Sequence, residues 1–331
     1  MKLALTATAA LALALATAPA AAQTAKPVEL RIASFNVGSS WFVYGVTLAE
    51  VLRGKLPQGS KVDAPPLGGG TANPQLVERG KADIGLSFAV VNAWAVKGTF
   101  AFDKPQGKVR TLMGGLDDYY LGIVANGKDR GPDLNEFLDK QKPDTRIMLL
   151  KKGSFGSFAG QQILDVAGSG EKEVAARGGR YDFADFPVIQ AAFPAGTADL
   201  FIQVITRGHP AVTEMAETGN VTLLEPSQKV LAAMTEKFGW SVDTLPKGSF
   251  HGQTRDLTLP GTTTAIIASS DMTDDLAYTI VKTVCENQDA FKAGHKALSG
   301  FDCATKAWKA DNLGAPLHPG AARYYRERGW M

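Results

Sequence analysis

The chain has 331 residues, of which 45% are hydrophobic and 21% charged, and its formal net charge at pH 7 is +2. A near-neutral chain without a run of Lys or Arg lacks the basic surface that binds phosphate backbones, so nucleic-acid-binding proteins are excluded. The composition is that of a globular protein long enough for two lobes with separate cores.

The N-terminus has the three parts of a cleavable export signal. Lys2 supplies positive charge, residues 3–16 form an apolar run of mostly Ala and Leu, and AAA at residues 20–22 provides small side chains before a cleavage site. About 14 apolar residues are too few for a membrane-spanning helix, which needs roughly 20. We therefore predict that residues 1–22 are a signal peptide, that about 309 residues remain, and that the protein works outside the cytoplasm.

Strands, small-residue loops and helices follow one another along the mature chain. The predicted strands are residues 28–34, 61–64, 84–88, 121–125, 146–150, 199–205 and 262–269. The predicted helices are residues 41–52, 74–79, a segment through 161–164, 274–293, and 319 to the end. This order predicts an α/β fold with largely parallel sheets. Since no linker separates two halves, we expect the chain to cross between lobes more than once, with ligand bound in the cleft.

The two cysteines, Cys285 and Cys303, are the complete set in this sequence. In an oxidising compartment such a pair favours a disulfide. The bridge would close a loop of about 18 residues and stabilise the fold by about 3 kcal/mol. Two buried thiols that never meet are the alternative.

Catalytic motifs are not supported by the sequence. The segment GSFGS at residues 153–157 does not place Ser157 in a G-x-S-x-G frame, and the four histidines are scattered. Asp117 with Asp118, and Asp274 with Asp275, are adjacent carboxylates that point apart on most backbones, which favours solvated surface or a helix start. We predict no enzyme activity, no cofactor and no metal.

Three small-residue loops, at residues 38–40, 68–73 and 153–157, each precede a predicted helix. Free main-chain N–H groups and hydroxyls at helix N-termini bind carboxylates and other small anions. Plain helix capping uses the same residues without any ligand. Both interpretations stay open from the residue pattern alone.

Several motifs, in order, resemble the TAXI-type substrate-binding proteins of tripartite ATP-independent periplasmic (TRAP) transporters. LRIAS and GSSWF (residues 30–34 and 38–42) resemble the family's first strand and its G-G-T-[WY]-Y loop. LGGGTAN and GKAD (67–73 and 80–83) are similar to T-G-G-S-x-x-N and G-E-A-D. GS with QIL (153–154 and 162–164) is similar to the G-S-G-T loop and its helix, and GTAD with GHP (196–199 and 208–210) to G-x-I-D and G-x-P. LHPGA followed by Tyr324, Tyr325 and Glu327 resembles the C-terminal H-P-G-A-x-x-Y-Y-x-E signature.

The resemblance implies a two-lobed type II periplasmic-binding-protein fold with mixed or parallel sheets and a ligand cleft between the lobes. Lobe 1 is expected to comprise residues 28–120 and 265–331, and lobe 2 residues 121–264. The implied function is capture of a small organic acid or amino acid by a monomer that delivers it to the membrane permease subunits. The predicted ligand-binding residues are Ser39, Ser40, Trp41, Gly69, Gly70, Thr71, Asn73, Phe88, Ser154, Phe155 and Ser157.

The sequence departs from the family's pattern at the cleft. Phe42 replaces a tyrosine, and Phe155 and Gly156 replace the last two residues of G-S-G-T. Phe88 and Val90 stand where relatives often carry Gln and Asp. The lost hydrogen-bonding groups predict a ligand with one carboxylate-like end and another end more apolar than glutamate.

Some roles stay open. Trp41 stacks on the ligand or lies in the core, and His318 is structural or ligand-binding. Arg110, Arg207 and Arg255 are candidates for a ligand counter-ion. A same-fold binding protein for a sensor or another importer is one alternative function, and a secreted serine hydrolase using Ser154 or Ser157 is the other.

Overall fold

The structure, a computed structural model, describes residues 26–331 except 38, 129, 132, 141 and 219. The predicted signal peptide therefore lies outside the described residues. Within them, helices and strands are mixed along the chain and the strands form two sheets.

The first sheet has the strand order β2-β1-β3-β12-β4. Its strands are β1 (Glu29–Ala33), β2 (Lys61–Asp63), β3 (Ile84–Phe88), β4 (Val109–Met113) and β12 (Thr264–Ser269). β1 pairs in parallel with β2 and β3, whereas β12 pairs antiparallel with both β3 and β4. The strand from the far end of the chain thus lies between two strands from its beginning.

The second sheet has the order β10-β11-β5-β8-β6-β7, with β9 also beside β5. Its strands are β5 (Tyr119–Asn126), β6 (Arg146–Leu150), β7 (Arg180–Ala184), β8 (Leu200–Ile205), β9 (Val221–Leu223), β10 (Ser241–Leu245) and β11 (Leu257–Thr262). Only the β6–β7 and β6–β8 pairs of this described sheet are parallel. The prediction of largely parallel sheets is therefore wrong here, because β5 pairs antiparallel with β8, β9 and β11, and the parallel pairs are confined to the β8-β6-β7 end of the sheet.

Helices cover the faces of both sheets. They are α1 (Ser40–Arg53), α2 (Ala72–Glu78), α3 (Ala89–Lys97), α4 (Leu134–Asp139), α5 (Phe155–Val166), α6 (Glu171–Ala176), α7 (Phe186–Ala192), α8 (Pro210–Glu217), α9 (Gln228–Phe238), α10 (Asp274–Glu286), α11 (Gln288–Ala293) and α12 (Pro319–Glu327). The central strands β3 and β8 are buried along their whole length, as strands covered on both faces are.

We call the first sheet with α1–α3 and α10–α12 lobe 1, and the second sheet with α4–α9 lobe 2. The chain passes from lobe 1 to lobe 2 between β4 and β5, and returns between β11 and β12. The predicted strand at residues 262–269 is interrupted at Thr263, because its two sides pair in different sheets. The exact lobe boundaries given above stay a prediction.

The C-terminal part of lobe 1 is held by a disulfide and a buried histidine. Cys285 at the end of α10 is bonded to Cys303. His318 caps α12, because its Nδ1 accepts a hydrogen bond from the N–H of Gly320, and its Nε2 lies 3.0 Å from the carbonyl oxygen of Met272. These contacts give His318 a structural role. The predicted helix 274–293 is two helices, which meet at Asn287.

Candidate functional site

The two lobes touch where the glycine loop of lobe 1 meets the start of α5 in lobe 2. The hydroxyl of Thr71 donates a hydrogen bond of 3.3 Å to the carbonyl oxygen of Gly153. A Cβ atom at Gly70 would lie 2.9 Å from the Cβ of Phe155, so only glycine permits this approach. Two of the three small-residue loops predicted from the sequence are therefore in direct contact.

The first loop forms the N-terminus of α1. Ser39 is the N-cap, since its Oγ accepts from the N–H of Phe42 at 3.1 Å while donating to the carbonyl oxygen of Asn36. Its hydroxyl is thus fully used by the fold. Ser40 is the first helical residue and is half-buried, and no described side-chain or main-chain group accepts its hydroxyl proton.

Trp41 is buried beside the return crossing between the lobes. Its indole Nε1 donates to Oγ1 of Thr264, the first residue of β12, at 3.0 Å, and its ring lies 4.5 Å from that of Phe88, centroid to centroid. The sequence left open whether Trp41 lies in the core or contacts the ligand. The structure places its side chain in the core, immediately behind Phe88.

The glycine loop is held from behind by Asn73, which is completely buried. Its Nδ2 donates to the carbonyl oxygens of Ser34 and Leu86 at 2.8 and 2.7 Å, and its Oδ1 accepts from the N–H of Gly69 at 2.8 Å. Gly69 has φ +145°, and a Cβ there would meet the ring of Phe35 at 2.9 Å. The amide of Asn73 therefore ties the loop to the ends of β1 and β3.

The second helix N-terminus at the contact belongs to α5. Ser154 is its N-cap and accepts a hydrogen bond of 3.1 Å from the N–H of Ser157. Ser157 is fully buried and donates its own hydroxyl to the carbonyl oxygen of Ser154 at 2.9 Å. The hydroxyl proton of Ser154 has no acceptor among the described residues, so this group keeps a free donor at the cleft.

Aromatic rings from both lobes fill the space between these loops. Phe88, at the end of β3, contacts Tyr119 at 4.9 Å and Phe155 at 4.6 Å between centroids. Phe155 in turn stacks on Trp240 of lobe 2 at 5.5 Å with an angle of 9° between the planes. The buried apolar cluster is therefore continuous from lobe 1 through the cleft into lobe 2.

A second aromatic contact between the lobes was not found from the sequence. The indole of Trp94 in α3 donates to the carbonyl oxygen of Phe238 at the end of α9, at 2.6 Å. Phe100 packs on both rings, at 5.2 Å from Trp94 and 5.1 Å from Phe238, and has φ +57°, which side-chain-bearing residues rarely adopt. Aromatic residues near positions 94–100 and 238–240 were the available signal, but nothing local pairs two segments so far apart.

The crossing from β4 to β5 contains a buried carboxylate, Asp117, which is 4% exposed. It accepts hydrogen bonds from the hydroxyl of Tyr44 at 2.8 Å and from the N–H of Thr264 at 3.0 Å. Burial raises the pKa of Asp117 to about 6, although these hydrogen bonds oppose the shift. The sequence predicted that these acidic pairs lie on solvated surface or at a helix start. This is wrong for Asp117, which is buried, whereas Asp118 is exposed as predicted. Asp274 and Asp275 begin a helix, also as predicted.

Among its described residues, the cleft offers hydrogen-bond donors and apolar surface, and neither of its serines is paired with a general base. The first N–H groups of a helix lack partners within the helix, so α1 and α5 supply donors beside the hydroxyls of Ser40 and Ser154. Neither Ser154 nor Ser157 has a histidine among its described hydrogen-bond partners. This arrangement suits the binding of a carboxylate better than the activation of a nucleophile.

The candidate counter-ions are engaged elsewhere in two cases. Arg110 donates to the carbonyl oxygens of Gly107 and Val109, and Arg255 forms an ion pair with Glu225. Arg255 also lines a cavity of about 520 Å³ on lobe 2, which includes none of the predicted ligand-binding residues. Arg207 is exposed on lobe 2.

Within the described ranges, no group of three or more His, Cys, Asp or Glu side chains is placed to hold a metal ion. Among the helices of that same part of the chain, none has the length and hydropathy needed to span a membrane.

The fold is similar to those of several solved proteins. The periplasmic binding protein BugD has a TM-score of 0.52 at 14% identity, over 92% of this chain and 96% of BugD. MatC from Rhodopseudomonas palustris with bound malate has a TM-score of 0.52 at 12% identity, over 92% and 97% of the two chains. A TctC solute-binding protein from Polaromonas has a TM-score of 0.52 at 14% identity, over 92% and 98%.

These likenesses confirm the predicted fold class, a two-lobed periplasmic-binding-protein fold with mixed sheets. The sequence matches one family from the first strand to the C-terminal helix, over residues 32–329. The chain therefore belongs to the NMT1-like family.

Proposed function

We propose that the protein is a periplasmic receptor that captures a small organic acid or an amino-acid-like carboxylate between its lobes. The observation that carries the proposal is the meeting of polar helix starts and an apolar wall at the junction of the lobes. Ser40 and Ser154, at the starts of α1 and α5, keep hydroxyl protons without described acceptors. A carboxylate accepts hydrogen bonds only, so it complements a site made of donors.

The wall beside these donors supports a ligand with a second, apolar end. Phe88 and Phe155 are each 5% exposed, and Val90, which follows Phe88 in the first turn of α3, is 4% exposed. A second carboxylate against these side chains would be buried without a partner, which is unfavourable. The proposed ligand is therefore more apolar than glutamate at the end away from its carboxylate.

The proposed mechanism is capture by closure. Ligand contacts from both lobes exist only when the lobes are close together, so ligand shifts the population toward the closed arrangement. The two crossings of the chain provide the covalent link about which the lobes move. Ser154 contributes a hydroxyl donor from lobe 2 and Ser40 contributes one from lobe 1, while the hydroxyl of Thr71 joins the two lobes through Gly153.

We further propose that the receptor acts as a monomer and delivers its ligand to the permease of a TRAP-type transporter. The motifs that resemble TAXI-type proteins support this partner, and the solved structures support only the receptor fold. Uptake of ligand by membrane vesicles that contain the permease should depend on added receptor. Uptake that is unchanged by the receptor would favour a sensor or a different importer.

The test of ligand binding is a thermal-shift screen of organic acids and amino acids, followed by calorimetry on the mature protein. The informative variant is Ser154→Gly, because glycine is an acceptable N-cap while the hydroxyl is removed. We expect binding of the best carboxylate to weaken about fivefold to a hundredfold, the effect of one buried hydrogen bond to a charged group.

The matched control is Ser227→Gly. Ser227 is the N-cap of α9 and accepts from the N–H of Val230, with φ −64° and ψ 159° against −74° and 155° at Ser154. Removing it should leave affinity unchanged at a similar small cost in stability. Equal affinities for both variants would remove Ser154 from the site.

A further inference from the structure

We propose that Phe88 and Phe155 form a two-ring clamp that selects carboxylic acids carrying a flat apolar group, such as an aromatic ring. The proposal rests on the proposed function and names the ligand class of the same cleft. The flat group enters between the two rings while the carboxylate is held at the start of α5.

The two rings belong to different lobes and face each other directly. Phe88 ends the central strand β3 of lobe 1, and Phe155 is the first residue of α5 in lobe 2. Their centroids are 4.6 Å apart, and their planes are inclined by 30°. Movement of one lobe against the other therefore changes the gap between these rings before it changes any contact within a lobe.

Each ring is fixed from behind by a tryptophan of its own lobe. Trp41 lies 4.5 Å from Phe88 and is anchored by its hydrogen bond to Thr264. Trp240 stacks on Phe155, and its Nε1 donates to Oε1 of Gln162 at 3.1 Å. Rings held in this way are ordered before ligand arrives, so they lose little conformational entropy on binding.

The space beside Phe155 exists only because residue 70 is glycine. A Cβ atom there would lie 2.9 Å from Cβ of Phe155 and 3.7 Å from Cε2 of Phe88. The glycine loop therefore packs flat against both rings and closes one side of the gap. A planar group fits between rings and a flat loop, whereas a puckered ring of the same size needs a wider gap.

Stacking requires the lobes to part by a small amount. Rings in favourable contact have centroids about 4.5 to 7 Å apart, so a third ring between Phe88 and Phe155 requires roughly 9 Å between their centroids. The two rings are far apart in sequence, at positions 88 and 155, yet they contact each other.

Calorimetric titration with matched acids tests the clamp. Benzoate is compared with cyclohexanecarboxylate, and phenylacetate with cyclohexylacetate, so that charge and carbon count are equal and only flatness differs. We expect the aromatic acid of at least one pair to bind about tenfold more tightly, with a change in tryptophan fluorescence because Trp41 and Trp240 back the rings.

The variants are Phe88→Leu and Phe155→Leu, with Phe137→Leu as the control. Phe137 is a buried phenylalanine in α4. This helix follows the C-terminal end of β5, and the crossing between the lobes is at the other end of that strand. In the first two variants the aromatic and the puckered acid should bind with about equal affinity. In the control the preference for the aromatic acid should persist. The ratio in the unmodified protein tests the clamp even where a variant fails to fold.

Two outcomes separate the clamp from the proposed function. Equal binding of flat and puckered acids, or a preference that survives both clamp variants, overturns the clamp while leaving a carboxylate receptor. Absence of binding by every acid and amino acid in the screen, with Ser154→Gly and unmodified protein alike, overturns both.

Discussion

The lobes meet in two regions of opposite character. At the crossings, Asp117 accepts from Tyr44 and Thr264, and the hydroxyl of Thr263 donates to the main-chain oxygen of Asp117 at 2.5 Å. At the cleft, the contact is between rings, chiefly Phe88 and Phe155. The first region is polar and directional. The second is mostly apolar, with the hydrogen bonds of Thr71 to Gly153 and of Trp94 to Phe238 beside the rings, and it is more tolerant of changes in distance.

The difference shows how the fold can restrict a motion without preventing it. Hydrogen bonds lose their strength within a few tenths of an ångström, and a buried group left unpaired is destabilising. Apolar contact has no preferred direction, so rings can separate and meet again in a new arrangement. We therefore expect the crossings to stay fixed while the cleft opens.

The largest effect is expected at the crossing. Asp117→Ala leaves the buried hydroxyl of Tyr44 and the N–H of Thr264 without their acceptor, so the free energy of unfolding should fall by about 3 kcal/mol. Urea denaturation measures it. Asp118→Ala, at the exposed neighbour, should change it by less than about 0.5 kcal/mol; similar small losses in both variants would contradict the contrast between the regions.

A steric clash introduced at the cleft should lower the free energy of unfolding less than Asp117→Ala does, and it should separate the lobes rather than unfold them. Gly70→Val puts a side chain against Phe155, and overpacking of this sort costs about 1 to 2 kcal/mol. Because the rings can part, we expect a larger radius of gyration in small-angle X-ray scattering and altered tryptophan fluorescence.

The control for this variant is Gly107→Val, since nothing lies within 4 Å of a Cβ atom there. It should leave both measurements unchanged. A loss of stability in Gly70→Val as large as that of Asp117→Ala, without expansion, would mean that the cleft is as rigid as the crossings.

Lowering the pH should strengthen the crossing. Burial raises the pKa of Asp117 to about 6, above its ordinary value of 3.8. The folded protein thus binds this proton more tightly than the unfolded chain, and the stabilisation is complete below pH 3.8 and lost as the pH rises through 6. Between pH 7 and pH 5 it amounts to about 1 kcal/mol.

His209 opposes this trend, because burial lowers its pKa to about 4 and protonation of the unfolded chain then favours unfolding as the pH falls. Urea midpoints at both pH values should therefore be compared between the unmodified protein and Asp117→Asn. The difference isolates Asp117. A pH dependence identical in both proteins would contradict the assignment.

The smallest effect is expected at the edge of the ring region. Trp94→Phe keeps an aromatic ring but removes the hydrogen bond to Phe238 across the lobes, which contributes roughly 0.5 to 1 kcal/mol. Amide hydrogen exchange at the start of α5 should become faster, because the ring of Trp94 also packs on that of Phe155, at 5.7 Å between centroids. Trp308→Phe is the control, because the Trp308 indole donates to the carbonyl oxygen of Ala304 within its own lobe at 2.9 Å. If exchange at α5 became faster in this variant as well, the effect would not come from a specific contact between the lobes.

Much of the α/β pattern was predictable because its central elements are decided locally. The strands at residues 84–88 and 146–150 have the predicted bounds, since both are apolar runs between turn residues. A helix after Ser154 was predicted, because serine has a local function at an N-cap, but α5 begins at Phe155, inside the predicted loop 153–157. The disulfide pair followed from there being two cysteines in the chain.

Edge strands other than β2 were not predicted, because their partners define them. β10 has four exposed residues out of five and pairs only with β11 in the described sheet. The break at Thr263 was missed for a related reason, as the β-branched run around it continues without any local change. Pairing with Tyr119 on one side and Phe88 on the other decides where one sheet ends and the next begins.

The chemistry at the contact between the lobes was the least predictable. Asp117 is buried because Tyr44, 73 residues away, donates to it. Phe88 and Phe155 are likewise in contact although they are 67 residues apart in the sequence (155 minus 88). Sequence motifs located the loops, but only the packed structure shows which rings face each other.

The position of β12 has a consequence for the order of folding. β4 pairs with no other strand of the described sheet than β12, and β12 is complete only at Ser269. Lobe 2 is one continuous segment of the chain and can form its sheet as soon as residue 262 is available. Lobe 1, although it begins first, must hold its early strands unfinished until that late strand arrives. Until then its open sheet edges are the part of the chain that most needs protection from pairing with other molecules.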